Sequence, residues 1–442
     1  MDINERISLI KQVGEEIITE EDLKTLLETK QNPIAYDGFE PSGTSIHIAQ
    51  GLLRAININK MTKTGCKFKI LVADWHAWAN NKMGGDLEKI QKVGKYLIEV
   101  WKACDMDTDN VEFVWVSDMV KDDAYWKIVM QIARETTLNR VLRTTQIMGR
   151  SENDVLQASQ IFYPCMQAAD IFYLKADICQ LGMDQRKVNM LAREVAPKLG
   201  FEKPVIISHH MLMGLQEPLP KKPEIEKFVN IIKENPYPQE NLFKKINYQE
   251  LCNNIENPYP SLPNKIMSIA SKFDNIYIKS KNNEITPEIK QLSKELKEDA
   301  YNLLKSYIDQ RQMRLKMSKS KPDTAIFMSD SADDVKRKIS KAYCPEKQVE
   351  ENPMMEYCKY ILFEKFNKLI VERPEKFGGN IELNSYNELV DVYSQGKLHP
   401  MDLKTMVTKY LNELLEPVRK KLGSNEVAQK LYEEIKKFEV TR

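Results

Sequence analysis

Three short stretches of the chain gather the residue types that do chemistry. The first is Pro41-Ser42-Gly43-Thr44-Ser45-Ile46-His47-Ile48-Ala49-Gln50-Gly51. It lies between a predicted strand and the next helix, where α/β proteins bind anionic ligands against a helix N-terminus. Gly43 lets backbone approach a ligand closely, and His47 can donate to phosphate oxygens. A helix-capping turn with an incidental histidine is the plainer alternative. The second stretch, Arg314-Leu315-Lys316-Met317-Ser318-Lys319-Ser320-Lys321, puts four cations and two hydroxyls into eight residues. That composition suits a phosphate clamp, whereas most charge runs are solvated loops. In the third, Tyr163, Gln167 and Asp170 stand at i, i+4 and i+7, and so share one helix face. A phenol, an amide and a carboxylate make that face polar, as a binding site or an exposed or interface helix requires. Gly182-Met183-Asp184-Gln185-Arg186-Lys187 follows it.

The elements that must position these groups alternate. Residues 6–30 read as helix-forming, and 34–43 as a short strand entering a Pro/Gly turn. A helix is expected from about Ile46, with Leu52, Leu53, Ile56 and Met61 on one side. The apolar run 68–74 suits a buried parallel strand. Asp86 is placed to cap a helix that turns Ile90, Val93, Leu97 and Trp101 inward. Strands are expected at 111–116, 177–180 and 205–207, with helical sequence over 122–173 and 184–199. Alternation of this kind implies an α/β fold with a doubly wound parallel sheet and a helical insertion at about 120–160. Residues 1–217 form this domain. Residues 218–312 are rich in Lys, Glu and Asn and read as an insertion. It is partly helical, because Thr286-Pro287 is a cap pair and Ile289, Leu292, Leu296, Leu303 and Tyr307 recur at helical spacing. Residues 313–328 hold the basic loop and a linker, and 329–442 read as a mostly helical C-terminal domain.

At 442 residues the chain is long enough for two or three domains. Its 65 Lys and Arg against 64 Asp and Glu leave a net charge of +1, which excludes a globally basic nucleic-acid binder but not local basic patches. The beginning of the chain has no leader-like basic and apolar pattern, and no run of eighteen apolar residues occurs, so no membrane association is expected. Seven scattered cysteines with no CxxC spacing argue against disulfides and structural zinc, and fit a cytoplasmic location. No metal site is expected. His209 and His210 are adjacent on a strand and point to opposite faces.

The first two stretches together resemble the class I aminoacyl-tRNA synthetases, whose signatures are H-[IL]-G-H after the first strand and K-M-S-K-S beyond the last. Residues 316–320 match the second signature in full. In the first, His47 matches, while Ala49 replaces the glycine and Gln50 the second histidine. Alanine is still small enough for a nucleotide to pack near, and glutamine can donate. The third stretch resembles Y-P-x-x-Q-x-x-D and G-[GMS]-x-[ED]-Q-R-K of the tyrosyl-tRNA synthetases of eukaryotes and archaea. The resemblance implies a Rossmann-like catalytic domain and a C-terminal anticodon-binding domain. It implies ATP as substrate with its Mg²⁺, L-tyrosine and tRNA(Tyr) as partners, and a homodimer.

The residue roles that it implies carry over by position. Tyr36 and Asp170 hydrogen-bond the substrate phenol. Tyr163, Gln167 and Gln185 hold its amino and carboxylate groups. Gly43, His47, Gln50, Gly182, Asp184 and Met213 contact ATP, with Lys316, Met317, Ser318, Lys319 and Ser320 of the loop. His47, Lys316 and Lys319 stabilise phosphate charge in catalysis. Arg186 reaches the tRNA acceptor end, Phe377 stacks on the first anticodon base and Asp402 bonds its edge. Arg134, Arg140, Arg143 and Arg150 lie where the family has its dimer interface and part of the acceptor contact. For Phe377 and Asp402 a loop aromatic and a helix cap are the alternatives, and for His76 pocket wall and packed histidine both stand. Tryptophanyl-tRNA synthetase, a nonenzymatic RNA-binding paralogue and a related nucleotidyltransferase remain rival readings.

Overall fold

The run Lys67–Val72 is a strand whose last three residues are all buried, as apolar sequence covered on both sheet faces must be. The computed structural model describes residues 1–148, 156–235, 237, 248–280, 285–317 and 321–438. Six strands form one sheet: β1 (Gly14–Ile18), β2 (Ile34–Phe39), β3 (Lys67–Val72), β4 (Val111–Trp115), β5 (Ile178–Gly182) and β6 (Val205–His209). Their order is β1-β6-β5-β2-β3-β4. β2 to β6 run parallel, and β1 is antiparallel to β6 at the edge. The chain winds outward from β2 through β3 and β4, then returns to lay β5 on the other side of β2. The point of reversal is the β2–β5 boundary, beyond whose carboxyl ends ligands bind in such sheets.

Register divides the sheet into two faces. Tyr36 pairs with Cys179, and Leu181 with Ser208, so these side chains share one face. They join a core with Val129, Ile132, Ala168 and Ile171 from the helices Asp123–Glu135 and Ala158–Tyr173. Ala35, Phe39, Ile70, Ile178 and Ile207 belong to the opposite core, with Ile90, Val93, Leu97 and Trp101. Those last four are buried on the helix Leu87–Ala103, and the Asp86 side chain caps it, accepting from the Lys89 amide at 3.1 Å. Its expected cap and apolar face are both present.

Two expectations need correction. Residues 6–30 are not continuously helical. β1 interrupts them, because Glu15 to Ile18 complete the edge of the sheet beside β6, and tertiary pairing overrides local propensity. The helix expected from Ile46 starts later. Residues 46–48 bond to 326–328 through an isolated antiparallel bridge at His47, and a π-helical turn over Ala49–Leu53 leads into the helix Arg54–Lys63.

The chain falls into two compact units, Met1–Leu215 with Met317–Arg442, and Gln216–Lys316. The second unit has its own apolar core, in which Phe228, Ile255, Ile266, Phe273, Leu296 and Leu303 meet. Thr286 Oγ1 accepts from the Ile289 amide at 3.3 Å at the head of the helix Pro287–Leu315. In the first unit the C-terminal residues share the core of the sheet rather than standing apart, since Met354, Leu362, Leu403 and Leu411 cluster with Ile48 and Leu52. The C-terminal region also carries a hairpin, β7 (Leu369–Val371) and β8 (Ile381–Leu383), which helical patterning did not reveal. Three-residue strands are too short to show a period of two.

A histidine ties the end of the sheet to this region. His210 Nε2 is 3.0 Å from Glu356 Oε2, and its Nδ1 is 3.4 Å from Glu15 on β1. Burial opposes the charge of His210, but its hydrogen bonds to the Glu15 and Glu356 carboxylates outweigh it and push its pKa up to about 9. A folded pKa above the unfolded one gives stability that is complete below about pH 6.5 and lost as pH rises towards 9. Denaturant melts at both pH values should show wild type losing about 1–3 kcal/mol more than His210→Leu over this interval. Equal losses would contradict the role of this ion pair.

Candidate functional site

The β2–β5 boundary is lined by polar side chains that other elements deliver. Tyr36 is on β2 and Asp170 on the helix Ala158–Tyr173, and both are buried. Asp170 Oδ1 accepts from the Tyr125 hydroxyl at 2.9 Å. Asp170 Oδ2 lies 3.0 Å from His76 Nε2, a close ionic contact without hydrogen-bond alignment, so Oδ2 and both His76 ring nitrogens keep unused bonding capacity. Burial alone would depress the His76 imidazolium, but the Asp170 carboxylate outweighs it and holds the pKa above its ordinary value. Burial and then the Asp170 charge push the Tyr36 phenol far above its usual range, so it remains a donor. A glycine two residues along the strand makes room for that ring, since a Cβ on Gly38 would meet the Tyr36 hydroxyl at 3.3 Å.

Two turns back on the same helix, Tyr163 donates to Glu40 Oε1 at 2.7 Å, and its ring meets His76 edge-on at 4.9 Å. Gln167 donates to Gln185 Oε1 at 3.0 Å and keeps a buried, unpartnered Oε1. Tyr163, Gln167 and Asp170 thus do share one face, and that face is buried. This removes the reading of an exposed helix. Gly182 ends β5, where a Cβ would lie 2.6 Å from Met211 Sδ and 2.8 Å from Asp184 Oδ1, so a side chain there would require both of these side chains to shift. Asp184 is exposed just beyond it.

Gly43 and His47 are buried in the stretch after β2. The backbone of His47 bridges Phe327, with the Ile48 amide donating to Ile326 O and the Met328 amide to Ile46 O, each at 2.9 Å. Met317 donates to Leu212 O at 3.3 Å, and Leu215 to Thr324 O at 2.9 Å. The residues flanking the basic loop are therefore pinned beside the His47 turn and the end of β6. Ser318, Lys319 and Ser320, with Arg150, lie outside the described residues. Lys316 is the last residue of the second unit. Met213 is buried, its amide donating to Glu356 at 2.8 Å and its carbonyl accepting from Tyr357 at 3.0 Å. His209 and His210 do face different partners, Gln180 and the Glu15–Glu356 pair.

Arg186 meets Glu16 on β1 at 2.7 Å. Phe377 is 61% exposed near the tip of the β7–β8 loop, with Lys376 over its ring at 4.9 Å. Arg373 bonds both Gly379 O and Lys397 O at 3.0 Å, which holds this loop beside the head of the helix Pro400–Ser424 that carries Asp402. His399, not Asp402, caps that helix, so the capping alternative for Asp402 falls away.

The patterns missed Tyr125 and Glu40. Tyr125 sits at core spacing with Val129 and Ile132, and nothing in the sequence separates it from packing. Glu40 was readable as a carboxylate at a strand end.

A family model described as tRNA synthetases class I (W and Y) matches residues 28–221 and 279–416. Tyrosine--tRNA ligase 2, cytoplasmic, of Arabidopsis thaliana is 44% identical over 99% of this chain, which spans 46% of that longer protein. The tyrosine--tRNA ligase of a Saccharolobus islandicus strain is 36% identical and aligned along the whole of both chains, so residues 216–316 have a counterpart there. The crystal structure of the Pyrococcus horikoshii tyrosyl-tRNA synthetase complexed with L-tyrosine superposes with a TM-score of 0.74, at 33% identity, covering 98% of this chain and 100% of that one. On the match of the family model and these long alignments, the chain belongs to the class I tRNA synthetases of the tryptophan and tyrosine family.

Proposed function

We propose that the chain is a tyrosine–tRNA ligase, which activates L-tyrosine with ATP and transfers it to tRNA(Tyr). The observation that carries this is the buried Asp170 carboxylate. Tyr125 and His76 fix it, and one oxygen is left to accept a hydrogen bond beside the Tyr36 hydroxyl. A substrate phenol donates to Asp170 Oδ2 and accepts from Tyr36. Phenylalanine would leave both unpaired in a buried site, which is the strongest form of rejection available to a pocket. An indole offers no oxygen to accept from Tyr36, and this favours tyrosine over tryptophan.

Tyr163, Gln167 and Gln185 hold the amino and carboxylate ends of the substrate. ATP lies across the β2 and β5 ends, along Gly43, His47, Gln50, Gly182 and Asp184, with Met213 and Met317 near its base. The tyrosine carboxylate attacks the α-phosphorus, the bond to pyrophosphate breaks, and tyrosyl-adenylate forms. The protein contributes position and charge stabilisation rather than a nucleophile. His47, Lys316 and Lys319, with Ser318 and Ser320, serve to stabilise the phosphate charge, and Mg²⁺ enters with ATP as part of that substrate. A hydroxyl of the terminal tRNA ribose then attacks the adenylate carbonyl and AMP leaves. Arg186 serves the acceptor end, and Phe377 and Asp402 read the anticodon. The enzyme acts as a homodimer in the cytoplasm. The names of its plant relatives favour that location, and no helix among the described residues is long and apolar enough to cross a membrane.

Charging of unfractionated tRNA with tyrosine, tryptophan and phenylalanine in turn tests the reading. Tyrosine alone should be esterified, and charging with tryptophan or with none would reject it. Within the pocket, Tyr125→Phe removes the donor that fixes Asp170. A hydrogen bond to a carboxylate is worth about 1.5–3 kcal/mol. The tyrosine KM is expected to rise about tenfold or more with kcat little changed. An unchanged KM would remove Tyr125 from substrate selection.

A further inference from the structure

Asp37 and Arg54 lie on the face of the sheet opposite Tyr36, because adjacent strand residues alternate. Asp37 is 1% exposed, and its Oδ2 is 3.1 Å from Nε of Arg54, whose side chain is only 12% exposed. Arg54 is the first residue of its helix and reaches back to the end of β2, where Nη2 is 3.4 Å from the Gly38 carbonyl. Its guanidinium lies 5.3 Å from the Trp101 ring centroid and 5.8 Å from that of Phe39. Trp101 in turn donates from Nε1 to the Gln50 carbonyl at 2.7 Å. The Gln50 and Gly51 amides both donate to His47 O at 2.9 Å. One continuous chain of contacts therefore runs from Asp37 through Arg54 and Trp101 to the His47 turn, and a branch reaches the Gly38 carbonyl near the end of β2.

A pair used only for stability gains little from being charged. Buried ions lose hydration, and an apolar pair of similar volume is often as stable. This pair also leaves Arg54 Nη1, Gln50 Oε1 and, on the same sheet face, Gln180 Oε1 buried without partners. An unpaired guanidinium N–H under the carboxyl end of β2 is costly to a mere strut and useful beneath a site that receives phosphates. We infer that Arg54, held by Asp37, is a positioning residue for ATP: it braces the β2 end and the His47 turn against the nucleotide in adenylate formation. The inference rests on the ATP-dependent reading above and adds residues that neither signature contains.

Titration gives an independent readout. Burial pushes the Asp37 carboxyl up to about 6 against the opposing pull of Arg54, and the Asp184 carboxylate adds to the rise. Burial and the Arg54 charge hold His209 down at about 4, so it stays neutral over the same interval. As pH falls through 6, Asp37 is neutralised, Arg54 loses its partner and the brace loosens.

The experiment uses the full chain and tyrosine-dependent exchange of pyrophosphate into ATP between pH 5 and 8. It compares wild type, Arg54→Lys and the charge-free double variant Asp37→Leu/Arg54→Met. Tyrosine binding without ATP and thermal melting are measured alongside. The double variant should melt near wild type and bind tyrosine within twofold, while its ATP KM rises about tenfold. The loss of ATP affinity below pH 6 that wild type shows beyond the protonation of ATP itself should be absent. Arg54→Lys keeps the charge and loses the fork, and should fall between the two. A folded double variant with the wild-type ATP KM and the wild-type acid limb would overturn the inference. If the double variant does not fold, an unchanged ATP KM in Arg54→Lys does so instead. Absence of tyrosine-dependent exchange in wild type would reject the ligase reading itself, which separates the two failures.

Discussion

Asp170→Asn should lower kcat/KM for tyrosine by about 10²–10³-fold and leave the residual activity with phenylalanine within a few-fold of its starting value. Asp170 accepts from Tyr125 and faces His76, and the proposed phenol makes its remaining bond. An amide offers one oxygen where the carboxylate offered two, so a donor must face a donor on one side. Two charge-assisted bonds lost or weakened at about 1.5–3 kcal/mol each, with part of the loss relieved by rearrangement, give this range. The counter-charge of His76 disappears as well, so burial then drives that imidazole neutral. Steady-state exchange with both amino acids checks the expectation, and His76 can be followed by NMR titration. Undiminished selectivity for tyrosine in a folded Asp170→Asn would remove this carboxylate from recognition.

His47→Ala is the second large effect. Its backbone bridges Phe327 and accepts from Gln50 and Gly51, and the truncation leaves these backbone bonds in place. The substitution therefore tests the imidazole as a donor to the developing phosphate charge, with a thermal melt to check the fold. Loss of one preorganised donor of that kind costs about 10²–10³-fold in the chemical step. The rate constant of adenylate formation in a single turnover should fall by about that factor, with tyrosine affinity almost unchanged. A rate within twofold of wild type would assign His47 a purely structural place.

The site was more legible in the sequence than its supports. Tyr163, Gln167 and Asp170 declared themselves because a helix face that should be apolar carried three polar groups at i, i+4 and i+7. Their burial adds what spacing could not, that the face points inward. Tyr125 stayed hidden because a tyrosine at core spacing looks the same whether its hydroxyl is idle or bound to a carboxylate 45 positions on. Asp37 and Arg54 were illegible for another reason. Their meeting depends on a turn after β2 that brings the head of a helix back over the strand, and sequence does not encode such a return in any local pattern.

The fold shows the same division. The central parallel strands and the cap at Asp86 follow from composition and local chemistry. The edge strand β1 and the short hairpin β7–β8 follow only from what they pair with. Residues 218–312 read as a partly helical insertion, and the helices of the unit Gln216–Lys316 enclose a core of their own. Patterning reports amphipathic helices but not whether their apolar faces meet each other.

The central claim is a single cleft in which the ring hydroxyl of the substrate meets Asp170 and Tyr36 while the nucleotide lies against the His47 turn. A crystal structure of the full chain with a non-hydrolysable tyrosyl-adenylate analogue tests it most directly. The account predicts the phenol oxygen within hydrogen-bond reach of Asp170 Oδ2 and the Tyr36 hydroxyl, and the adenylate phosphate beside His47. An analogue bound with its ring away from Asp170, or its phosphate away from the His47 turn, would contradict it.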